Sequence, residues 1–279
     1  MKFLQTVLLF SAFTLYNSGN ALSQTQDAKG ECISGNCVNG QGVMFYPDGR
    51  KYTGDFRRGL RHGSGVYTFP NGRSYEGAWT ADKRTGRALM IFPNGERYHG
   101  EFVDSRFHGE GVYVYTNGEI YSGHWENGAR SDFGVSVLPD GRIYAGRWTD
   151  DAKNGGGVLL LPNGDRFEGM FCDGQCDGFG TMTWFDGKKY IGEWRNGLPN
   201  GYGVAVFTEK SRYEGMFNEG EYQGDGTWVF PDGGRYVGVW KHSKRHGYGA
   251  EFDRNGAKVL EGQWTDDKYQ GESMTRIPD

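Results

Sequence analysis

The sequence predicts an all-β fold, an elongated single-layer antiparallel meander of stacked β-hairpins. Three observations support this prediction. An aromatic residue recurs every 23 residues from Tyr52 to Tyr236. Apolar and polar residues alternate around it, as they do in a β-strand. Pro-Asn-Gly or Pro-Asp-Gly, which is typical of a tight turn, separates many of the units.

Each repeated unit starts with an aromatic residue, followed by glycine two positions later and by Trp or Phe four positions later. Chance does not keep an aromatic residue in phase this often, so the repeat defines the architecture. Residues two and four positions apart on a strand share a face. We therefore expect these rings, called here the aromatic ladder, to line one face of the sheet. The ladder consists of Tyr52, Phe56, Tyr75, Trp79, Tyr98, Phe102, Tyr121, Trp125, Tyr144, Trp148, Phe167, Phe171, Tyr190, Trp194, Tyr213, Phe217, Tyr236, Trp240 and Trp264.

Two segments identify the family that this pattern resembles. The residues YTGDFRRGLRHGSGVYTFPNG from Tyr52 and YIGEWRNGLPNGYGVAVF from Tyr190 resemble MORN repeats, whose pattern is Y-x-G-x-W/F-x-x-G-x-x-x-G-x-G. The resemblance covers roughly residues 40–271, or about ten tandem repeats. It implies a MORN-repeat solenoid that works by binding. The family is associated with protein scaffolds, membranes, phospholipids and self-association.

The sequence departs from the family pattern at six positions. We expect the loops at these positions to differ in shape from the others. Asp82, Ser105, Asp151 and Ser243 replace a loop glycine, Asp132 replaces the glycine eleven residues after the leading tyrosine, and Lys210 replaces a turn glycine.

The chain divides into three predicted segments. Residues 1–23 are typical of a signal peptide, with Lys2 before an apolar stretch and small residues at its end. Cleavage after Ala21 is the near alternative to cleavage after Ser23, and a buried N-terminal helix is the alternative to a signal. Residues 24–49 form an N-terminal cap and half repeat, and residues 50–279 form the tandem repeats. Export predicts a secreted or periplasmic protein of the cell envelope.

The four cysteines fall into two local pairs, Cys32 with Cys37 and Cys172 with Cys176. The pairs lie about six units apart, whereas a disulfide needs Cα atoms within about 7 Å of each other. We therefore expect two local disulfides and no four-cysteine zinc site.

The composition and motifs do not indicate an enzyme. The net charge of −4 gives no general attraction to nucleic acid, and we find no phosphate-binding loop, nucleophile elbow or zinc motif. His62, His108 and His246 occupy the same position in three separate units, where other units have a different polar residue. That favours a structural role over a metal site. The sequence therefore predicts no catalytic residues, no metal and no cofactor.

The expected partners follow from these features. The leading hypothesis is a scaffold that binds an unidentified protein through its aromatic face or its sheet ends. The alternative is weak contact with anionic lipid through basic loops, or with cell-wall glycan, whose sugar rings could stack on the aromatic ladder. The C-terminal repeat has no evident cap and has Trp264 near its open end, so a homodimer through this end is expected. The candidate anion-binding loop residues are Arg57, Arg58, Arg61, Lys241, Lys244 and Arg245.

Overall fold

The computed structural model describes residues 29–271, which contain 22 β-strands, all antiparallel to the strands they pair with. The described residues divide into two compact units, with the boundary between Lys153 and Asn154. These are called the first and the second unit, and each 23-residue segment is called a repeat. Inside each unit, the strands pair in chain order, so that hairpin follows hairpin. The predicted all-β antiparallel meander is therefore confirmed. The predicted signal peptide, residues 1–23, lies outside the described residues.

The first unit contains eleven strands. They are β1 (Glu31–Gly35), β2 (Asn39–Phe45), β3 (Lys51–Arg57), β4 (Leu60–Thr68), β5 (Ser74–Thr80), β6 (Lys83–Ile91), β7 (Arg97–Val103), β8 (Arg106–Val114), β9 (Ile120–Glu126), β10 (Ala129–Val137) and β11 (Ile143–Thr149).

The second unit contains the remaining strands, the first of which begins just before the boundary. They are β12 (Ala152–Leu160), β13 (Arg166–Cys172), β14 (Gln175–Thr183), β15 (Lys189–Arg195), β16 (Leu198–Thr208), β17 (Ser211–Asn218), β18 (Glu221–Val229), β19 (Arg235–Lys241), β20 (Lys244–Phe252), β21 (Lys258–Thr265) and β22 (Lys268–Tyr269).

Two kinds of turn alternate along the chain. In the wide turn after β4, Phe69 N–H donates to the carbonyl oxygen of Arg73 at 2.9 Å, and Asn71 Oδ1 accepts the N–H of Arg73 at 3.1 Å. The tight turn after β3 has two residues, Arg58 and Gly59, with φ of +55° and +77°. Positive φ at both positions is the type I′ geometry, whose twist matches that of the flanking strands.

The tight turns keep one shape even where glycine is replaced. Asp82 and Ser105 have φ of +66° and +70°, and Asp151 and Ser243 have similar values. Their backbone N–H groups donate to a carbonyl oxygen of the preceding repeat, as that of Gly59 does. Ser105 N–H, for example, donates to the carbonyl oxygen of Arg84 at 3.0 Å. The expectation that these loops differ in shape is wrong, because the required φ is tolerated, most readily by aspartate.

Two further departures had opposite outcomes. Asp132 has φ of +50°, close to the +61° of Gly63 at the equivalent position, so the expected change of shape is wrong here too. The loop at Lys210 does differ. There β16 continues to Thr208, which pairs with Ser211, and Lys210 does not have the positive φ of Gly72.

The two ends of the described chain are closed differently. At the N-terminal end, β1 pairs with β2, and a disulfide joins Cys32 to Cys37 with Cα atoms 5.9 Å apart. At the other end, β22 pairs with Trp264 and Thr265 of β21. The Tyr269 ring lies 5.3 Å from that of Trp264, which is 3% exposed. Tyr269 therefore covers the ring that the sequence placed near an open end.

A row of glycines runs across the paired strands. Gly54 on β3 lies opposite Gly65 on β4, which lies opposite Gly77 on β5. A Cβ atom on Gly65 would collide with the hydroxyl end of Tyr52. Glycine is therefore needed here so that a tyrosine ring can lie flat across two strands. In the first unit Ala88 occupies the corresponding place on β6.

Candidate functional site

The aromatic ladder forms the core of the sheet. Every ladder residue is 5% exposed or less, from Tyr52 at 0% to Phe56 at 5%. The ring of Tyr52 packs edge-to-face against Phe56 of its own repeat and Trp79 of the next repeat, at centroid distances of 5.0 and 5.5 Å. Edge-to-face packing of this kind is a favoured aromatic geometry. Inside each compact unit the ladder joins one repeat to the next, and its rings are too buried to serve as a docking surface or to stack on sugar rings.

The polar atoms of the ladder bond to the backbone that the rings cover. Tyr98 Oη donates to the carbonyl oxygen of Glu101 at 3.0 Å. Trp125 Nε1 donates to the carbonyl oxygen of Gly111 at 3.3 Å. Burial raises the pKa of Tyr75 and of Tyr236 to about 12 each. The buried ring oxygens thus stay protonated and keep donating.

Arginines at one repeat position complete the aromatic face. Arg61 is 8% exposed, and its guanidinium lies over the ring of Trp79 at 4.7 Å. Its Nε and its backbone N–H both donate to Asp82 Oδ1, each at 2.9 Å. Asp82 belongs to the tight turn of the next repeat, so this contact joins neighbouring repeats.

The same arrangement recurs at two other arginines. Arg130 Nε lies 3.1 Å from Asp151 Oδ1, and its Nη1 lies 3.2 Å from Glu119 Oε1. Arg245 contacts Asp267 at 3.3 Å and Glu251 at 3.0 Å in the same way. These ion pairs were not identified from the sequence. The available signal was an aspartate 21 or 22 residues after each arginine.

The six basic loop residues fall into two groups. Arg61 and Arg245 are held by carboxylates on the aromatic face, so their assignment to anion-binding loops is wrong. The other four are exposed, namely Arg57 and Arg58 in the first unit and Lys241 and Lys244 in the second.

The cysteines of the second unit do not form the expected disulfide. In the hairpin of β13 and β14, Cys172 lies opposite Gln175, and Phe171 lies opposite Cys176. Cys176 therefore shares the buried face with Phe171, whereas Cys172 is exposed on the other face. The predicted Cys172–Cys176 disulfide is wrong, because alternation along a strand turns the two side chains to opposite sides.

The face opposite the ladder, called here the open face, is partly apolar in the second unit. Five large side chains on it are between 42 and 61% exposed. Phe179 lies opposite Glu193 and Tyr202 opposite Met216 in the strand register. We call these five residues the apolar row: Met170, Phe179, Tyr202, Met216 and Tyr248.

At several of the same register positions the first unit has charged residues instead, although Phe133, at the position of Phe179, is also apolar and 58% exposed. Arg87 lies opposite Glu101, with Arg87 Nε 3.6 Å from Glu101 Oε1. Glu110 lies opposite His124, with 3.6 Å between the carboxylate and the imidazole. A groove of about 590 Å³ lies on this face. Its side chains come from Ser64, Val66, Glu76, Arg87, Leu89 and His99.

Residues 29–271 contain no group of three or more His, Cys, Asp or Glu side chains placed to hold a metal ion. His62, His108 and His246 do not come together in such a group. The same residues contain no helix long and apolar enough to span a membrane.

Three solved structures show a distant likeness to this chain. A mutant TCP10 domain of CPAP from Danio rerio is 18% identical, covers 71% of this chain and 99% of its own, and has a TM-score of 0.34. The SAS-4 TCP domain of Drosophila melanogaster, solved with a proline rich motif of Ana2, is 11% identical with a TM-score of 0.37, over 59% of this chain and 90% of its own. A streptogramin B lyase structure is 13% identical with a TM-score of 0.18, over 85% of this chain and 87% of its own. At such low TM-scores these likenesses carry no argument.

No curated protein matches this chain significantly. A family model described as the MORN repeat matches eleven segments that together make up most of the chain. They are residues 39–49, 52–72, 75–97, 98–120, 121–141, 144–166, 167–189, 190–212, 213–235, 236–258 and 261–272. Together with the ladder, the glycine row and the alternating turns, this match establishes that the chain belongs to the MORN repeat family.

Proposed function

We propose that this protein is an exported, non-enzymatic scaffold that binds a partner protein through the apolar row on its open face. The exposure of the row carries the proposal. The buried ladder already holds the sheet together, so Phe179 and Tyr202 are not needed to form the core. Large apolar side chains left in contact with water on one face, as in the directly paired Tyr202 and Met216, often mark an interaction surface.

The chemistry of the apolar row favours a protein partner. Aromatic side chains and methionine are enriched where proteins bind each other, and flexible methionines such as Met170 and Met216 adapt to irregular shapes. Tyr202 Oη donates to Glu214 Oε1 at 2.6 Å, which fixes the ring at the surface. Acidic residues Glu193 and Asp225 lie between members of the row. A partner segment with apolar and basic side chains would complement this surface.

Photo-crosslinking tests this proposal. A crosslinking amino acid at position 179 should capture a partner from the native source, and binding is then measured with the purified partner. Replacing Phe179 and Tyr202 with serine should weaken binding at least about tenfold, or 1.4 kcal/mol. Phe185→Ser is the matched control, because Phe185 is 81% exposed but lies in a turn. Equal binding by all variants would refute the role of the apolar row.

Weak contact with anionic lipid or glycan is the second candidate, supported by the four exposed basic residues. Each cation near an anionic surface contributes about 1 kcal/mol, so two in one loop give weak, salt-sensitive binding. Replacing Lys241 and Lys244 with serine should abolish binding of the chain to anionic vesicles. Submicromolar binding that survives this change would contradict the assignment to that loop.

Export and self-association complete the proposal. The apolar N-terminal segment and the Cys32–Cys37 disulfide support a secreted or periplasmic location. Among the described residues, β22 pairs with only two residues of β21, so part of the β21 edge could pair with a second copy. Sedimentation equilibrium of the mature chain should show a homodimer, and deletion from Leu260 onward should change that state. A monomer at about 100 μM would contradict dimerisation.

A further inference from the structure

One arginine on the aromatic face lacks the carboxylates that its counterparts contact. Arg84 occupies the repeat position of Arg61, Arg130 and Arg245. Its Nη2 donates to the carbonyl oxygen of Ser105 at 2.8 Å, and its Nη1 lies 3.6 Å from Met90 Sδ. No carboxylate of residues 29–271 lies within ion-pair distance of this guanidinium.

Comparison between repeats shows which carboxylates are missing around Arg84. Carboxylates reach the other arginines from three repeat positions, represented by Asp151, Glu119 and Glu251. At Arg84 these three positions hold Ser105, Arg73 and Met90, in that order. Two are therefore neutral and the third is a second cation.

The local backbone is nevertheless unchanged. Ser105 has φ of +70°, against +66° for Asp151, and its Oγ accepts the N–H of Arg84 at 3.1 Å. Asp151 Oδ1 accepts the N–H of Arg130 at 3.0 Å. The turn that supplies the counter-charge elsewhere is thus in place here, but Ser105 has no charge, and the neighbouring carboxylate, Asp104, pairs with Lys83 at 2.7 Å.

Arg73 adds an unsatisfied donor beside this site. Its Nε is buried and has no hydrogen-bond partner. Its guanidinium lies 5.3 Å from the ring of Phe69 and 5.6 Å from that of Phe92. Desolvation by burial, followed by the positive charge of Arg73, lowers the pKa of Arg84 to about 10. A partly buried cation without a counter-charge is costly, and here Arg73 and Arg84 lie close enough to repel each other.

We propose that Arg73 and Arg84 form a binding site for a carboxylate, supplied by a small carboxylic acid or by an acidic side chain of a bound partner. The bound group takes the role that the Asp151 carboxylate has at Arg130, at the position where this repeat has the shorter, neutral Ser105. A guanidinium pairs with a carboxylate through two parallel N–H···O bonds, and the ordinary Arg130 site shows that the fold accommodates such oxygens. This site is on the aromatic face, so it is independent of the apolar row.

The arginine Nε–Hε resonances of the full mature chain test the site directly. Sodium succinate and a tetraglutamate peptide are titrated separately, with sodium chloride at matched ionic strength as reference. Saturable shifts of the Arg73 and Arg84 resonances, without shifts at Arg130, are expected. A response to succinate assigns a small acid, and a response to the peptide alone assigns a partner side chain. No shift with either, or the same shift with chloride, overturns the proposal.

Ser105→Asp supplies the missing charge from within the chain. This variant should lower the affinity for the responding carboxylate at least about tenfold and raise the unfolding midpoint by about 2–4 °C. Ser105→Asn, of the same size without the charge, should keep both wild-type values. Arg84→Met should abolish binding, and it should still fold because an apolar side chain often replaces a buried charge well. Unchanged affinity in Ser105→Asp would overturn the assignment.

Discussion

The two units have the same aromatic face but different open faces. At equivalent register positions, the first unit pairs Arg87 with Glu101 and Glu110 with His124, whereas the second pairs Tyr202 with Met216. The rings behind them are buried alike. Contacts between successive repeats require buried rings on the aromatic face, whereas side chains on the solvent-exposed open face can be either charged or apolar. Differences between repeats on the open face are therefore where specific binding can be encoded.

The largest expected effect is on the free energy of unfolding, when one ring is truncated on each face of the sheet. Trp194→Ala removes a ladder side chain that is 4% exposed, and should lower the free energy of unfolding by about 3–5 kcal/mol. Phe179→Ala removes an exposed ring on the neighbouring strand and should change it by at most about 0.5 kcal/mol. Guanidinium unfolding followed by circular dichroism measures both. Similar losses in the two variants would remove the distinction between the faces.

The glycine row offers a second, smaller test. Gly65→Ala places a methyl group against the Tyr52 ring, and should cost about 1–3 kcal/mol of unfolding free energy because the ring must move. Gly156→Ala is the control, since no atom lies within 4 Å of its added Cβ. It should be neutral, or stabilising by up to about 1 kcal/mol. Urea midpoints measure both values, and a costly Gly156→Ala would mean that glycine is needed on both faces.

The sequence was sufficient for the architecture because the repeat reports it directly. The spacing of Tyr52, Gly54 and Phe56 identifies one strand face, and the Pro-Asn-Gly segments mark turns. The burial of the ladder was harder to predict. A single-layer sheet suggests exposed rings, but a ring such as that of Tyr52 covers Gly54 and Gly65 and packs against Trp79 of the next repeat.

Contacts between repeats limited what the sequence could reveal about sites. The sequence suggested that Arg61 is a basic loop residue, because its partner, Asp82, is 21 residues away. The replacements of glycine in the tight turns suggested a change of loop shape. In a sequence, glycine is the usual sign of left-handed backbone, so the same conformation at another residue is easily missed. Cys172 and Cys176 read as a local pair because proximity in sequence does not show which face each side chain takes.

Alkaline pH should destabilise the aromatic face, with Tyr236 alone contributing a loss of about 1 kcal/mol near pH 11. The pKa of Tyr236 is about 12 in the folded chain, against about 10 when unfolded. A raised pKa means that this contribution is complete below pH ~10 and is lost as pH rises through pH ~12. Unfolding midpoints and tyrosinate absorbance across this range measure the effect. Tyr236→Phe should lose less stability than wild type on alkalinisation, since Phe167 fills the same place elsewhere; an identical pH dependence would contradict this.

The smallest effect concerns the two faces of a single hairpin. Cys172 is exposed on the open face, and Cys176 is 0% exposed on the aromatic face. Iodoacetamide should alkylate Cys172 in the native protein with little change in stability, and should reach Cys176 only when the hairpin opens. Peptide mapping by mass spectrometry distinguishes the two sites. Cys172→Ser should abolish native labelling, and Cys176→Ser should preserve it if that variant remains folded. A Cys172–Cys176 cross-linked peptide in an unreduced digest would contradict the assignment, because it requires both sulfurs to lie on one side of the sheet.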